Sequence, residues 1–269
     1  MIKNNQVIIT SSNNYSIPTQ LLAELLLREG VEIKGFICVN LFSLKRIKNT
    51  IRDRSQIKPL FKRIISLLFQ NKEIKNKSSI IARFLKEKNI KLENNLSNWS
   101  KRNKVPILFV DDLNCSCSYN FLSKLNFDFV IYSGGGILRE KFLTLSNRVI
   151  NSHAGPLPEV RGMNAAEWTY LLKKKSAITI HFIDKGIDTG PIIEIFDLDN
   201  SNIYNVNQLR SNAILKGIQS LVSVISKNRI SKLCLKNNAK QIYERQYFKM
   251  APVLLEKLKL KLKNEQKGN

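Results

Sequence analysis

The apolar residues of this chain come in short, dense blocks separated by polar turns, and the blocks alternate between strand-like and helical spacing. Gln6-Val7-Ile8-Ile9-Thr10 is a continuous β-branched run closed by the polar stretch Ser11–Tyr15, which predicts a buried strand. Thr19–Arg28 carries leucines at helical spacing and stops at Gly30, and Lys34–Val39 is a second strand. A strand–helix–strand start predicts a parallel pair joined by a right-handed crossover. Leu44–Arg52, Lys58–Gln70 and Ile80–Lys88 then read as amphipathic helices that interrupt the alternation. Strand patterns resume at Pro106–Val110, Phe127–Tyr132, Val149–Asn151, Ala177–Ile183 and Ile192–Phe196, with helices over Asn164–Lys173 and Asn205–Ser226.

The pattern predicts an α/β chain: a Rossmann-like open, mostly parallel sheet flanked by helices. Residues 1–226 form the main domain, 41–104 a mainly helical insertion, and 227–269 a short extension, mostly helical and partly tail. No internal repeat is present.

Charge sharpens that division. The chain has 269 residues and a net charge of +23. Residues 41–104 hold 18 Lys and Arg against 4 Asp and Glu, residues 227–269 hold 12 against 3, and the remainder is neutral. The excess lies in the insertion and the extension. It suits nucleic acid, anionic lipid or a phosphorylated substrate; a Lys/Asn/Ile-rich composition filling solvent faces with lysine would give the same count. Within the insertion, Leu60, Phe61, Ile64, Ile65 and Leu68 form one helical stripe bordered by Lys and Arg. Residues 58–70 could therefore lie on an anionic membrane surface, dock on another subunit, or pack on their own domain.

Cys38, Cys115, Cys117 and Cys234 lack the spacing of a zinc site or a disulfide framework, so free thiols and no metal are expected. No signal-peptide pattern or run approaching the roughly 18 apolar residues of a membrane span is seen. The expectation is a cytoplasmic protein.

Candidate chemistry concentrates where the chain's only two histidines fall, His153 and His181. Histidine is the side chain best matched to proton transfer near neutral pH. Asn151 and His153 are two apart at the end of a strand, so they project from one face. Gly155-Pro156-Leu157-Pro158 stiffens the chain beyond them, and Asp188 lies in the loop Lys185–Pro191, whose glycines permit close approach of a flat ligand. An amide, an imidazole and a carboxylate meeting in one cleft suit acyl-type transfer to an amine. The alternative is two buried histidines and a turn-capping aspartate.

The run Ile150–Gly162 resembles the Asn-x-His-x-x-x-Leu-Pro-x-x-(Arg/Lys)-Gly signature of 10-formyltetrahydrofolate-dependent formyltransferases. Ile178–Ile192 resembles their second signature, Thr-x-His-Phe followed by an Asp-(Ala/Thr)-Gly loop, in matching order and spacing. The resemblance implies that Asn151 hydrogen-bonds the formyl oxygen, His153 transfers the proton, and Asp188 orients and supports His153. It places Thr179 and His181 beside the same site, ordering water rather than reacting. It also implies that Gly136, Ile137 and Leu138, with Asp184, Lys185, Gly186 and Ile187, line the pterin pocket for the cosubstrate 10-formyltetrahydrofolate.

The acceptor implied is a small-molecule primary amine. The stretch Arg161–Trp168 looks most like sugar N-formyltransferases, which makes a nucleotide-linked amino sugar the first expectation. Glycinamide ribonucleotide formyltransferases carry a Gly-rich loop where this chain has Thr10–Tyr15 without glycine. Methionyl-tRNA formyltransferases carry a C-terminal barrel for which residues 227–269 are too few, so tRNA ranks below the sugar. Hydrolysis of 10-formyltetrahydrofolate and folate binding without turnover are the further alternatives. The oligomeric state has no signal in the sequence.

Overall fold

The computed structural model describes residues 5–40, 79–146, 148–227 and 245–267. The chain divides into two compact units, Met1–Asn147 and Arg148–Asn269. The helices predicted at Leu44–Arg52 and Lys58–Gln70, the latter with the candidate membrane face, lie outside the described residues, as do 228–244 of the extension.

The first unit runs β1 (Gln6–Ser11), α1 (Ile17–Arg28), β2 (Glu32–Val39), α2 (Ile80–Glu87), α3 (Leu96–Asn103), β3 (Ile107–Val110), α4 (Ser116–Ser123), β4 (Phe129–Ile131) and α5 (Glu140–Leu145). Its strands lie in the order β3-β2-β1-β4, and every neighbouring pair is parallel, as the strand–helix–strand opening predicts. Val7, Ile8, Ile9, Phe36 and Ile37 are fully buried, the condition of parallel strands covered on both faces. Helix α1 starts where the Ser16 side chain accepts from Thr19 N, and it ends at Gly30, held at φ +77°. Helix α3 is missing from the sequence pattern because its residues are mostly polar. The Asn95 side chain caps it, and Trp99 anchors it against Phe36, ring centroids 5.5 Å apart.

The second unit runs β5 (Val149–His153), β6 (Arg161–Gly162), α6 (Ala165–Leu171), β7 (Ala177–Phe182), β8 (Ile192–Asp197), α7 (Val206–Ser226), β9 (Gln246–Tyr247) and α8 (Pro252–Lys267). In this unit the pairing is antiparallel, β5 with β7 and β7 with β8. Strand β5 also runs two residues beyond the predicted Val149–Asn151, so His153 is a strand residue. One face of this sheet carries the buried Ile150, Ile178 and Ile180. Helix α7 packs so closely against β5 that a Cβ at Gly217 would sit 2.5 Å from Ser152 Oγ. The opposite face is left for Asn151, His153, Thr179 and His181. No described helix is long and apolar enough to cross a membrane.

Candidate active site

Strand register assembles the site within the second unit. Asn151 stands opposite His181, and His153 opposite Thr179, so four polar side chains share one face of an antiparallel pair. Their hydrogen bonds fix both imidazole tautomers. His181 Nδ1 lies 2.8 Å from Phe182 O, and a carbonyl only accepts, so Nδ1 carries the proton. His181 Nε2 is then an acceptor and takes a hydrogen bond from Asn151 Nδ2 at 3.1 Å. Burial, reinforced by the neighbouring His153, pushes His181 down to about 4 and keeps this ring neutral. One N–H of the Asn151 amide is thus committed to His181, and its orientation is set.

His153 is held from the other side. Its Nε2 donates to Val160 O at 2.7 Å, which leaves Nδ1 facing Asp188 Oδ2 at 3.4 Å. Asp188 Oδ1 lies 3.7 Å from His181 Nε2, so one carboxylate faces both rings. Asp188 holds a left-handed backbone, φ +53°, uncommon for a residue with a side chain, and its Oδ2 accepts from Gly162 N at 2.8 Å. His153 and His181 are buried, and Asp188 is 16% exposed.

Thr179 acts as a buried staple: its hydroxyl donates to Gly155 O at 2.7 Å and accepts from Leu157 N at 3.1 Å. That ties the turn carrying Pro156 and Pro158 to β7. A Cβ at Gly155 would be a tight fit, 3.0 Å from Ala165 Cβ, 3.1 Å from Val160 O and 3.3 Å from His153 Nε2. Sequence reasoning missed Val160 and Gly162. Both act through backbone groups, and only their place inside the first signature hinted at them.

The Asp184–Ile187 loop closes on itself before reaching Asp188. Asp184 Oδ1 accepts from Gly186 N at 3.0 Å and from Thr189 Oγ1. Lys185, Gly186 and Ile187 are exposed. Gly190 has no alternative, because a Cβ there would fall 1.9 Å from Phe182 O.

Gly136, Ile137 and Leu138 belong to the first unit. They follow β4 through three successive glycines with positive φ, and Ile137 is 76% exposed whereas Leu138 is buried. Asn114 fixes this loop by donating to Ile137 O at 2.9 Å and accepting from Arg139 N at 2.7 Å. At the carboxyl ends of β1, β2 and β3, a cavity of about 300 Å³ is lined by Asn13, Asn14, Tyr15, Asn40 and Phe109 among others. That edge is where open parallel sheets bind ligands.

Cys38, Cys115 and Cys117 are unpaired thiols; burial pushes Cys38 up to about 12. Cys234 lies outside the described residues. Among the described residues no group of three His, Cys, Asp or Glu side chains is placed to hold a metal ion.

Residues 119–225 match the family model described as formyl transferase. The methionyl-tRNA formyltransferase of Finegoldia magna is 25% identical over 124 residues, which cover 45% of this chain and 40% of that protein. The chain thus spans about two fifths of that relative's length. The phosphoribosylglycinamide formyltransferase of Anaplasma phagocytophilum superposes with a TM-score of 0.57 over 92% of this chain and 100% of its own, at 18% identity. A sugar N-formyltransferase from a Shewanella species superposes with a TM-score of 0.53 over 96% of this chain and 87% of its own, at 12% identity. At such identities the structural likeness speaks for the fold, while the sequence match falls on the strands and loops that carry both signatures. Over residues 119–225, about two fifths of its length, the chain is similar to the formyl transferase family.

Proposed function

We propose that this chain moves a formyl group from 10-formyltetrahydrofolate to a primary amine. The observation that carries the reading is the tautomer arrangement around Asn151. A neutral His181 takes one amide N–H, and the other is free to meet an oxygen as it becomes negative. In the reaction the amine nitrogen attacks the formyl carbon and the formyl oxygen gathers charge against Asn151. Of the His153 ring nitrogens, Nε2 is committed to Val160 O, so the amine proton would be taken at Nδ1. Asp188 faces that atom and offsets the charge of the imidazolium that forms. The bond from carbon to N10 of the folate then breaks, and N10 takes a proton as tetrahydrofolate leaves. Nothing in the sequence points to a nucleotide or metal to activate the transfer. Within the second unit, the exposed Lys185–Ile187 backbone suits a flat pterin.

For the acceptor we propose a nucleotide-linked amino sugar, on the likeness of Arg161–Trp168 to sugar N-formyltransferases and on the glycine-free loop Thr10–Tyr15. A second reading, formylation of methionyl-tRNA, draws on the activity named for the Finegoldia magna relative and on the basic insertion and extension. The test is a spectrophotometric assay of 10-formyltetrahydrofolate conversion with an amino-sugar nucleotide panel, glycinamide ribonucleotide, charged initiator tRNA, or no acceptor. Turnover with an amino-sugar nucleotide is the expected result. Turnover with tRNA alone would move the assignment to the second reading. Turnover without acceptor would make the chain a hydrolase, and folate binding without turnover would refute transfer.

A further inference from the structure

We infer that part of the basic C-terminal extension belongs to the active site: residues 246–250 form a strap that positions Asp188 through the backbone of Gly162. This rests on the role proposed above for Asp188 and His153. Strand β9 pairs in parallel with β6, placing Arg161 beside Gln246 and Gly162 beside Tyr247, and Met163 N donates to Tyr247 O at 2.9 Å. Two side chains pin the strap further along. The Trp168 indole N–H donates to Phe248 O at 2.9 Å, with its ring 5.2 Å from that of Tyr247. Asn164 Oδ1 accepts from Met250 N at 3.1 Å.

Gly162 is where the strap meets the chemistry. Its φ of +101° suits glycine, and a Cβ would lie 2.1 Å from Tyr247 O, so the strap is seated directly against it. The N–H of this same residue holds Asp188 Oδ2 at 2.8 Å. Asp188 sits in a left-handed conformation, φ +53°, and the Gly162 N–H is the backbone donor that holds its carboxylate. Displacing the strap lets Gly162 turn, and Asp188 then loses the donor that aims it at His153 Nδ1. Tyr247 and Phe248 thus act as positioning residues through their carbonyls, not as catalytic residues.

The experiment uses the full chain with two substitutions, Trp168→Phe and Asn164→Gly. These remove two strap hydrogen bonds while leaving every residue of the proposed chemistry in place. Glycine also tolerates the φ of +54° at position 164. The chain has two histidines, so ring nitrogen signals in 15N NMR at pH 7 are assignable with His181→Asn as reference. We expect amide exchange across Tyr247–Met250 to rise about tenfold or more. The His153 Nδ1 signal should move, with His181 little changed. Tyr247→Leu, which removes the ring packed at a tilt against Trp168 but keeps the backbone pairing, should leave His153 Nδ1 where it is. The inference is overturned if the strap loosens while His153 Nδ1 stays unmoved, if exchange does not rise, or if Tyr247→Leu reproduces the shift. None of these readouts needs turnover, so failure of the formyl-transfer assignment would be seen separately.

Discussion

His181→Asn replaces a buried ring with a side chain that can also accept the Asn151 N–H but cannot titrate, and it isolates one electrostatic contribution. In the native protein His181 is pushed down to about 4, chiefly by burial. An unfolded histidine titrates near 6.5, so below that pH the unfolded chain binds a proton that the folded chain refuses. The contribution is therefore fully present above about pH 6.5 and is lost progressively as pH falls toward 4. A difference of two to three pH units corresponds to about 3 kcal/mol, most of it gone by roughly pH 4.5. Protonation would also place an N–H on Nε2 against the N–H of Asn151, turning an attraction into a clash. The assay is urea denaturation of the wild type and the variant from pH 7.5 to 4.5. The variant should start less stable, having lost ring packing, and the gap should narrow by about 2–3 kcal/mol at the acid end. A gap constant across that range would refute both the neutral assignment and the orientation it gives Asn151.

Asp188→Asn keeps an oxygen for Gly162 N but removes the charge facing His153. Formyl transfer should fall about 10²–10³-fold with the melting temperature nearly unchanged, and wild-type turnover would remove Asp188 from the mechanism. Thr179→Val should act in the opposite sense, since it orphans a buried N–H at Leu157 and the Gly155 carbonyl. A loss of roughly 2–4 kcal/mol in denaturant unfolding is expected, and a shift under about 0.5 kcal/mol would show the staple to be dispensable. Gly190→Ala drives a methyl into Phe182 O, so the loop cannot keep its course. Thermal melting should drop sharply with Asp188 misplaced, whereas an unchanged melting curve would contradict the close approach.

The sequence and the structure agree where side-chain identity carries the information and part where backbone does. Buried strands such as Val7–Ile9 and Phe36–Cys38 announce themselves, because parallel strands covered on both faces must be apolar throughout. Asn151, His153 and Asp188 were legible as a group because histidine is rare here and the two signatures lie close together. Thr179 and His181 were legible as neighbours but not in their tasks. Whether a threonine staples a turn, or which ring nitrogen bears a proton, depends on carbonyls at Gly155 and Phe182 that any residue would supply. For the same reason the partner of His153 is invisible in the chain: Val160 contributes an oxygen that valine shares with nearly every other residue. The two-residue pairing of β6 with β9 joins positions 85 apart and has no pattern long enough to read. Its consequence reaches the chemistry. If Gly162 transmits the position of the strap to Asp188, the extension is no passive basic tail, and its strap residues bear on the rate even where they touch no substrate.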